Sequence, residues 1–150
     1  MVKNKKEEEK EDVTKPLCEQ IKNDELEELK SYIPVTEFGI NVGIPLNIDI
    51  VAFDQDFGLN GNDNTVAIEC KYGDDINDTI KNALSQAIYY QTSFKKVYIA
   101  VNKNRSDPED YVKNILKKLG IGLITSSSEG VEIALPPEID TLGIFFYKPL

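Results

Sequence analysis

Histidine is absent from this 150-residue chain, and cysteine occurs only twice, as Cys18 and Cys70. Without histidine, the chain cannot form a Ser-His-Asp triad, a Cys-His pair or a histidine general base. Two cysteines without histidine are also too few ligands for a zinc site. Any catalytic chemistry must therefore use carboxylates, lysine, tyrosine, serine or a metal ion held by oxygen ligands.

Long apolar runs are also missing. No stretch approaches the roughly 20 apolar residues of a membrane-spanning helix, and the N-terminal residues are charged throughout, unlike a signal peptide. The composition, 41% hydrophobic and 29% charged, is typical of a globular protein. We therefore expect a cytoplasmic protein with no membrane partner, long enough to bury one substantial core.

Positive charge is in the minority. Residues 1–15 contain five lysines and five acids, so the rest of the chain carries the whole net charge of −9. This charge argues against binding nucleic acid by bulk electrostatics, although a local basic patch or bound cations can reverse the local field. The low-complexity composition of residues 1–15 predicts a flexible, solvated arm, followed by a folded domain over residues 16–150.

Hydrophobic periodicity and turn residues divide that domain into helices and strands. Pro16 fits a first helical position and Pro34 a helix end, while Asp107 and Gly120 fit the start and stop of a later helix. The predicted helices cover 16–33, 75–94 and 106–120, and the first of them has a potential break at Asn23-Asp24. The predicted strands cover 35–42, 46–54, 64–72, 95–103, 121–127 and 131–137. Residues 143–150 are compatible with an edge strand or a partner-binding tail. This order predicts an α/β domain in which an antiparallel meander precedes parallel crossovers.

Three ionisable residues interrupt strands that are otherwise apolar. Asp49 lies within "NIDIVAFD" (47–54), and Glu69 and Lys71 lie within "VAIECK" (66–71). Because strand side chains alternate, Glu69 and Lys71 share a face about 6–7 Å apart, and Asp49 on the preceding antiparallel strand can reach it. Charges in buried strands are costly unless they are paired or bind a metal. A purely structural Glu–Lys or Asp–Lys ion pair is the alternative.

Two carboxylates on a rigid sheet are suited to Mg²⁺ or Mn²⁺. Such a cation can activate water and stabilise charge on a phosphoryl oxygen. A neighbouring lysine can orient or deprotonate the water, or hold the phosphate.

These residues resemble the PD-(D/E)XK nuclease superfamily, also called restriction-endonuclease-like, over roughly residues 16–137. Its motif is an Asp on one strand followed by Glu-x-Lys on the next, and "ALSQAIYY" (83–90) is similar to the Gln-x-x-x-Tyr helix of RecB-like members. Ile48 stands where the family's name-giving proline would be. The resemblance implies a restriction-endonuclease-like mixed β-sheet flanked by helices and a metal-dependent DNA nuclease.

The resemblance also implies roles for individual residues. Asp49 and Glu69 match the metal-binding carboxylates, Lys71 matches the catalytic lysine, and Gln86 is placed near the site. We interpret Tyr90, one helical turn later, as ordinary packing against the sheet.

Other acids are candidates for the same site. Asp54 competes with Asp49 but has the opposite strand parity, and the apolar run "IVAF" after Asp49 favours the latter. If the first hairpin is symmetric about Gly43, Glu37 lies opposite Asp49 and shares its face. Many family members also place a Glu on the first helix, where Glu19 and Glu25 cannot be separated.

The remaining polar motifs are less specific. Cys70 is expected to point into the core as a small hydrophobe. "DQDFGLNGNDN" (54–64) lacks the Gly and Glu positions of a calcium loop, so we interpret it as a hairpin turn. The basic residues of the later half form either a phosphate-contact patch or a solvated face; they are Lys95, Lys96, Lys103 and Arg105, with Lys113, Lys117 and Lys118.

A second function class remains open. The acidic domain and the lack of a separate DNA-reading domain are compatible with a catalytically inactive nuclease-fold module that binds nucleic acid or acts as an assembly subunit. Such a module would act within a homodimer or a larger nuclease–helicase assembly. The intact Asp/Glu/Lys set favours the enzyme.

Overall fold

The computed structural model describes residues 5–41, 43–55, 64–104 and 106–138, with side chains described from residue 9 onward. The helices are α1 (Lys5–Lys22), α2 (Ile76–Tyr90) and α3 (Asp110–Leu119), with a 3-10 turn at Glu27–Leu29. The strands are β1 (Tyr32–Asn41), β2 (Pro45–Asp54), β3 (Val66–Lys71), β4 (Lys96–Asn102), β5 (Gly122–Ser127) and β6 (Gly130–Leu135). None of the helices in these ranges combines the length and apolar character needed to cross a membrane.

The six strands form one mixed sheet in the order β1-β2-β3-β4-β5-β6. Strands β1, β2 and β3 pair antiparallel, β3, β4 and β5 pair parallel, and β6 returns antiparallel to β5. The predicted α/β class, element order and meander followed by parallel crossovers are confirmed. Most of the calcium-loop candidate (54–64) lies outside the described residues, and so does the whole of the predicted segment 143–150.

Helices cover both faces of the sheet. On one face, Val13, Leu17 and Ile21 of α1 pack against strand residues that include Ile68 and Cys70. On the other face, α2 and α3 pack apolar side chains against the sheet; these are Ile80, Ala83, Ala87, Tyr90, Val112 and Leu116. The domain therefore has a core on each side of a central sheet, as an α/β architecture requires.

Residues 5–15, predicted as part of a flexible arm, form the first half of α1. Val13 is fully buried and extends the stripe of Leu17 and Ile21 by one turn, at the four-residue spacing of a helix face. Pro16, expected at the first helical position, lies inside this helix. A buried apolar residue thus anchors this highly charged segment on the sheet.

The helix breaks at Asn23-Asp24, as the sequence allowed, and does not continue to residue 33. It stops at Lys22, and Asp24 adopts a left-handed conformation (φ 56°) whose carboxylate accepts the Ser31 N–H at 2.9 Å. Residues 32–34 belong to β1 instead, where Pro34 pairs with Ala52. Proline is tolerated there because β1 is an edge strand.

The ends of α3 give one confirmation and one correction. Gly120 ends the helix in the left-handed conformation (φ 73°), as expected. The N-cap, however, is Glu109 rather than Asp107. The Asp107 carboxylate instead lies 2.7 Å from Lys103 Nζ.

Candidate active site

Strands β2 and β3 are paired over only a short length within the described residues. The pairs are Ile50–Ile68, Val51–Ala67 and Ala52–Val66. Beyond them the ladder stops, and the Asp49 carboxylate accepts the backbone N–H of Cys70 through Oδ2 at 2.8 Å. A side chain of β2 thus bonds to the backbone of β3 where the two strands diverge.

A cleft of about 750 Å³ opens at this divergence. Since α1 and α2 cover opposite faces of the sheet, a cleft lined by both helices must reach past the paired part of β2 and β3. Its lining comes from α1, β1, β2, β3 and α2 and comprises Lys10, Glu11, Thr14, Lys15, Thr36, Glu37, Asn47, Asp49, Glu69, Lys71 and Gln86. The structure therefore brings Asp49, Glu69, Lys71, Gln86 and Glu37 of the sequence-based set to one place.

The two carboxylates lie deeper than the lysine. The side chains of Asp49 and Glu69 are 11% and 5% exposed, whereas the Lys71 side chain is 37% exposed. Lys71 Nζ lies 3.9 Å from Glu69 Oε2, at the outer limit of an ion pair. This arrangement leaves the ammonium of Lys71 accessible to a ligand that enters the cleft.

Glu69 is in an environment that disfavours its charge. Burial and the neighbouring Asp49 carboxylate raise the pKa of Glu69 to about 8, although the Tyr90 hydroxyl and Lys10 oppose this shift. Two buried carboxylates so close together cannot both ionise freely without added positive charge. A proton or a cation would relieve this repulsion.

Lys10 supplies part of that positive charge, and sequence reasoning missed it. Its Nζ lies 2.6 Å from Asp49 Oδ1. Burial lowers the pKa of Lys10, but the hydrogen bond to Asp49 and the nearby negative charges outweigh this and raise it overall. The available signal was the spacing of Val13, Leu17 and Ile21, which extends the helix toward Lys10.

Tyr90 does more than pack against the sheet. Its ring is fully buried in the core, as the packing interpretation expects. Its hydroxyl, however, donates to Glu69 Oε1 at 2.8 Å and lies 3.3 Å from the Asn47 carbonyl oxygen. Burial and Glu69 raise the pKa of Tyr90, so the hydroxyl keeps the proton that it donates. Tyr90 therefore fixes the orientation of Glu69.

Glu37 lies beside the cleft in an irregular part of β1. The hairpin register is symmetric about Gly43, as predicted, with Thr36 opposite Ile50 and Phe38 opposite Ile48, but the ladder skips the expected pair Glu37–Asp49. Glu37 itself has a positive φ of 56°, and its carboxylate accepts a hydrogen bond from the Asn47 side-chain amide. This contact fastens Glu37 to the cleft wall.

The other acidic candidates lie elsewhere. Asp54 is at the far end of β2, opposite Tyr32. Glu19 and Glu25 are exposed and do not line the cleft, whereas Glu11 of the same helix region does. The helix acid nearest the site is therefore one that the sequence assigned to the arm.

The predicted basic patch is not continuous. Lys95 and Lys96 lie at the start of β4, whereas Lys103 follows its end, roughly 20 Å away along the strand. Lys103 is 2.7 Å from Asp107, and Arg105 lies outside the described residues. Among the side chains that the structure describes, the lysines that line the cleft are instead Lys10, Lys15 and Lys71.

The donor set at the base of the cleft suits a hard cation. Mg²⁺ is commonly held by one or two carboxylates with water completing its octahedron, so Asp49 and Glu69 suffice. Within the described ranges, no cluster of three or more His, Cys, Asp or Glu side chains could hold a metal ion. Cys70 between them is fully buried, and burial raises its thiol pKa, so the thiol is unsuited to act as a ligand or nucleophile.

Comparison with models of known protein families finds none that matches this chain. Comparison with curated protein sequences likewise finds no significant match. The arrangement of side chains in the cleft is therefore the main indication of function.

Proposed function

We propose that this protein is a metal-dependent DNA nuclease with a restriction-endonuclease-like fold, which hydrolyses phosphodiester bonds at the cleft between β2 and β3. The observation that carries the proposal is the convergence of Asp49, Glu69 and Lys71 on one cleft, with both carboxylates almost fully buried. The mixed sheet with helices on both faces supports the fold assignment. The resemblance in sequence motif supports the choice of chemistry.

Asp49 and Glu69 would hold Mg²⁺ or Mn²⁺. When bound, the cation would lower the pKa of water and offset the charge that develops on a phosphoryl oxygen. Lys71, accessible at the cleft wall, would orient the attacking water or bind the phosphate. Gln86, which lines the same cleft from α2, would position the substrate.

The cleft lining is less acidic than the chain as a whole but is not positive, because its three lysines stand with four acids that include Glu11 and Glu37. Lys10, Lys15 and Lys71 lie around the two buried carboxylates, although the chain as a whole carries −9. A divalent cation would add two further positive charges at the same place. DNA affinity should therefore depend strongly on whether a cation is bound.

The test is cleavage of plasmid and linear DNA in Mg²⁺ or Mn²⁺. Asp49→Asn and Lys71→Met should each lower the rate by at least about a hundredfold, because each removes a group that acts directly on the reaction. Asp54→Asn, on the same strand but away from the cleft, and Lys95→Met, at the start of β4, are matched controls. Equal losses in these controls, or no cleavage by the wild type under any condition, would refute the proposal.

A catalytically inactive nuclease-fold module is the second candidate. The specific observation in its favour is Lys10, whose ammonium already neutralises Asp49 without a metal. Such a module would bind nucleic acid or a second subunit, as in a homodimer or a larger nuclease–helicase assembly. DNA retention without cleavage in Mn²⁺, together with a solution mass above that of one chain, would favour this candidate.

A further inference from the structure

The Lys10 ammonium lies beside Asp49, in the place where a metal ion would have to bind. Lys10 Nζ is 2.6 Å from Oδ1, and the Cys70 N–H occupies Oδ2 at 2.8 Å. Both oxygens of the Asp49 carboxylate are therefore engaged. A Mg²⁺ ion bound to Oδ1 at about 2.0–2.1 Å would stand directly beside the ammonium. Coulomb repulsion would then exclude one of the two cations.

Lys10 can leave Asp49 without any movement of α1. Its side chain is 34% exposed, and lysine carries its charge on a flexible four-carbon stem. The helix below it is anchored, because Val13 and Leu17 are fully buried against the sheet. A displaced ammonium would therefore remain inside the same cleft, beside Thr14 and Lys15.

We propose that Lys10 is an exchange residue. It neutralises Asp49 while no divalent cation is bound, and it turns to a phosphate of the substrate once a cation has taken its place. The phosphate half of this proposal rests on the proposed nuclease function, whereas the exchange with a metal ion does not. A displaced ammonium that stays in the cleft would meet the phosphates of a bound nucleic acid backbone, so this is the ligand class that we assign to it.

The exchange is tested by titrating wild type and variants with Mn²⁺ in a calorimeter without DNA. Lys10→Met removes the competing charge and keeps the length of the side chain, so Mn²⁺ affinity should rise about five- to tenfold. Lys15→Met is the matched control, since it removes the same charge from the same helix, where it pairs with Glu11 at 3.1 Å rather than with Asp49. Unchanged or weaker affinity in Lys10→Met would overturn the exchange.

A second variant covers the case in which Lys10→Met does not fold without metal. Lys10→Arg keeps the charge and can bind a carboxylate through two parallel hydrogen bonds. Its Mn²⁺ affinity should therefore fall below that of the wild type. An affinity equal to or above the wild-type value would count against the exchange.

The phosphate half is tested by DNA binding in Ca²⁺ over a range of salt concentrations. Lys10→Met should weaken binding and make the log–log salt slope shallower by about one, as expected for one lost phosphate contact. Lys22→Met, an exposed lysine at the other end of α1, is the control for net charge. An unchanged slope in Lys10→Met would remove the phosphate role.

The outcomes separate this inference from the nuclease proposal. If Lys10→Met binds Mn²⁺ more tightly but the wild type cleaves no DNA, the nuclease is refuted and the exchange stands. If the wild type cleaves DNA and Lys10→Met leaves Mn²⁺ affinity unchanged, the exchange is refuted and the nuclease stands.

Discussion

The hydroxyl of Tyr90 donates a hydrogen bond to Oε1 of Glu69 at 2.8 Å and thereby joins α2 to β3 at the base of the cleft. Glu69 is the more deeply buried of the two carboxylates, with a 5% exposed side chain. Its orientation is therefore controlled by a helix on one face of the sheet.

Tyr90→Phe should lower the free energy of unfolding by about 1–3 kcal/mol, because it leaves a buried carboxyl oxygen without its donor. Urea denaturation of wild type and variant measures this difference. Tyr89→Phe is the matched control, since the neighbouring tyrosine is 47% exposed. Equal stability of Tyr90→Phe and the wild type would mean that Glu69 finds another partner.

The raised pKa of Glu69 makes stability depend on pH. An unperturbed glutamate has a pKa of about 4.3, and burial beside Asp49 raises that of Glu69 to about 8 in the folded protein. The folded state thus binds this proton more tightly than the unfolded state. The resulting stabilisation is fully present below about pH 4 and is lost as the pH rises through about 8.

Denaturation between pH 5 and 9 in metal-free buffer measures this loss. Glu69→Gln should flatten the profile, because an amide mimics the protonated carboxyl at every pH. Glu19→Gln, at an exposed position of α1, should keep the wild-type slope. A slope that survives in Glu69→Gln would assign the titration to another group.

Metal binding should show the opposite pH dependence. A cation at Asp49 and Glu69 must displace the proton held by Glu69, so affinity should increase between pH 6 and 8 by up to about tenfold per unit. The rise in melting temperature caused by Mn²⁺ should accordingly be larger at pH 8 than at pH 6, because binding to the folded state alone stabilises it. Removal of Mn²⁺ with a chelator should reverse the increment.

Two variants locate the metal response. Glu69→Gln should abolish the increment in melting temperature, whereas Asp54→Asn should keep it. An increment of wild-type size in Glu69→Gln would place the cation elsewhere on the acidic surface.

Val13→Ala tests whether the N-terminal half of α1 is part of the folded domain. Removing two buried methyl groups should cost about 2 kcal/mol of unfolding free energy, measured by urea denaturation. Asp12→Ala, at the exposed neighbouring position, should have little effect. Unchanged stability in Val13→Ala would indicate that this segment is a flexible arm and not part of the folded domain.

Sequence reasoning succeeded where a short-range rule decides the structure. Strand alternation correctly placed Glu69 and Lys71 on one cleft, and the hairpin symmetric about Gly43 set Thr36 opposite Ile50. The order of helices and strands followed from hydrophobic periodicity together with turn residues.

Sequence reasoning failed where a contact between residues far apart in the chain decides the structure. Composition assigned residues 1–15 to a solvated arm, but residues 5–15 form helix, with Val13 buried against the sheet and Lys10 paired with Asp49. The Lys10–Asp49 pair spans 39 positions of the chain and has no local signature. Lys96 and Lys103 are close in sequence but lie at opposite ends of β4. The lysines at the cleft, Lys10, Lys15 and Lys71, come from α1 and β3.

The short pairing between β2 and β3 places the two carboxylates on different sides of a junction in the sheet. Within the described residues, three paired positions form the whole seam between the β1–β2 hairpin and the other four strands. Asp49 lies on the hairpin side of that seam and Glu69 on the other. The apolar clusters on the two faces of the sheet also cross this seam, through Val51 and Ala67 on one face and through Ile50 and Ile68 on the other. The Cys70–Asp49 hydrogen bond is thus the polar contact that fixes Asp49 relative to β3 just beyond the paired positions.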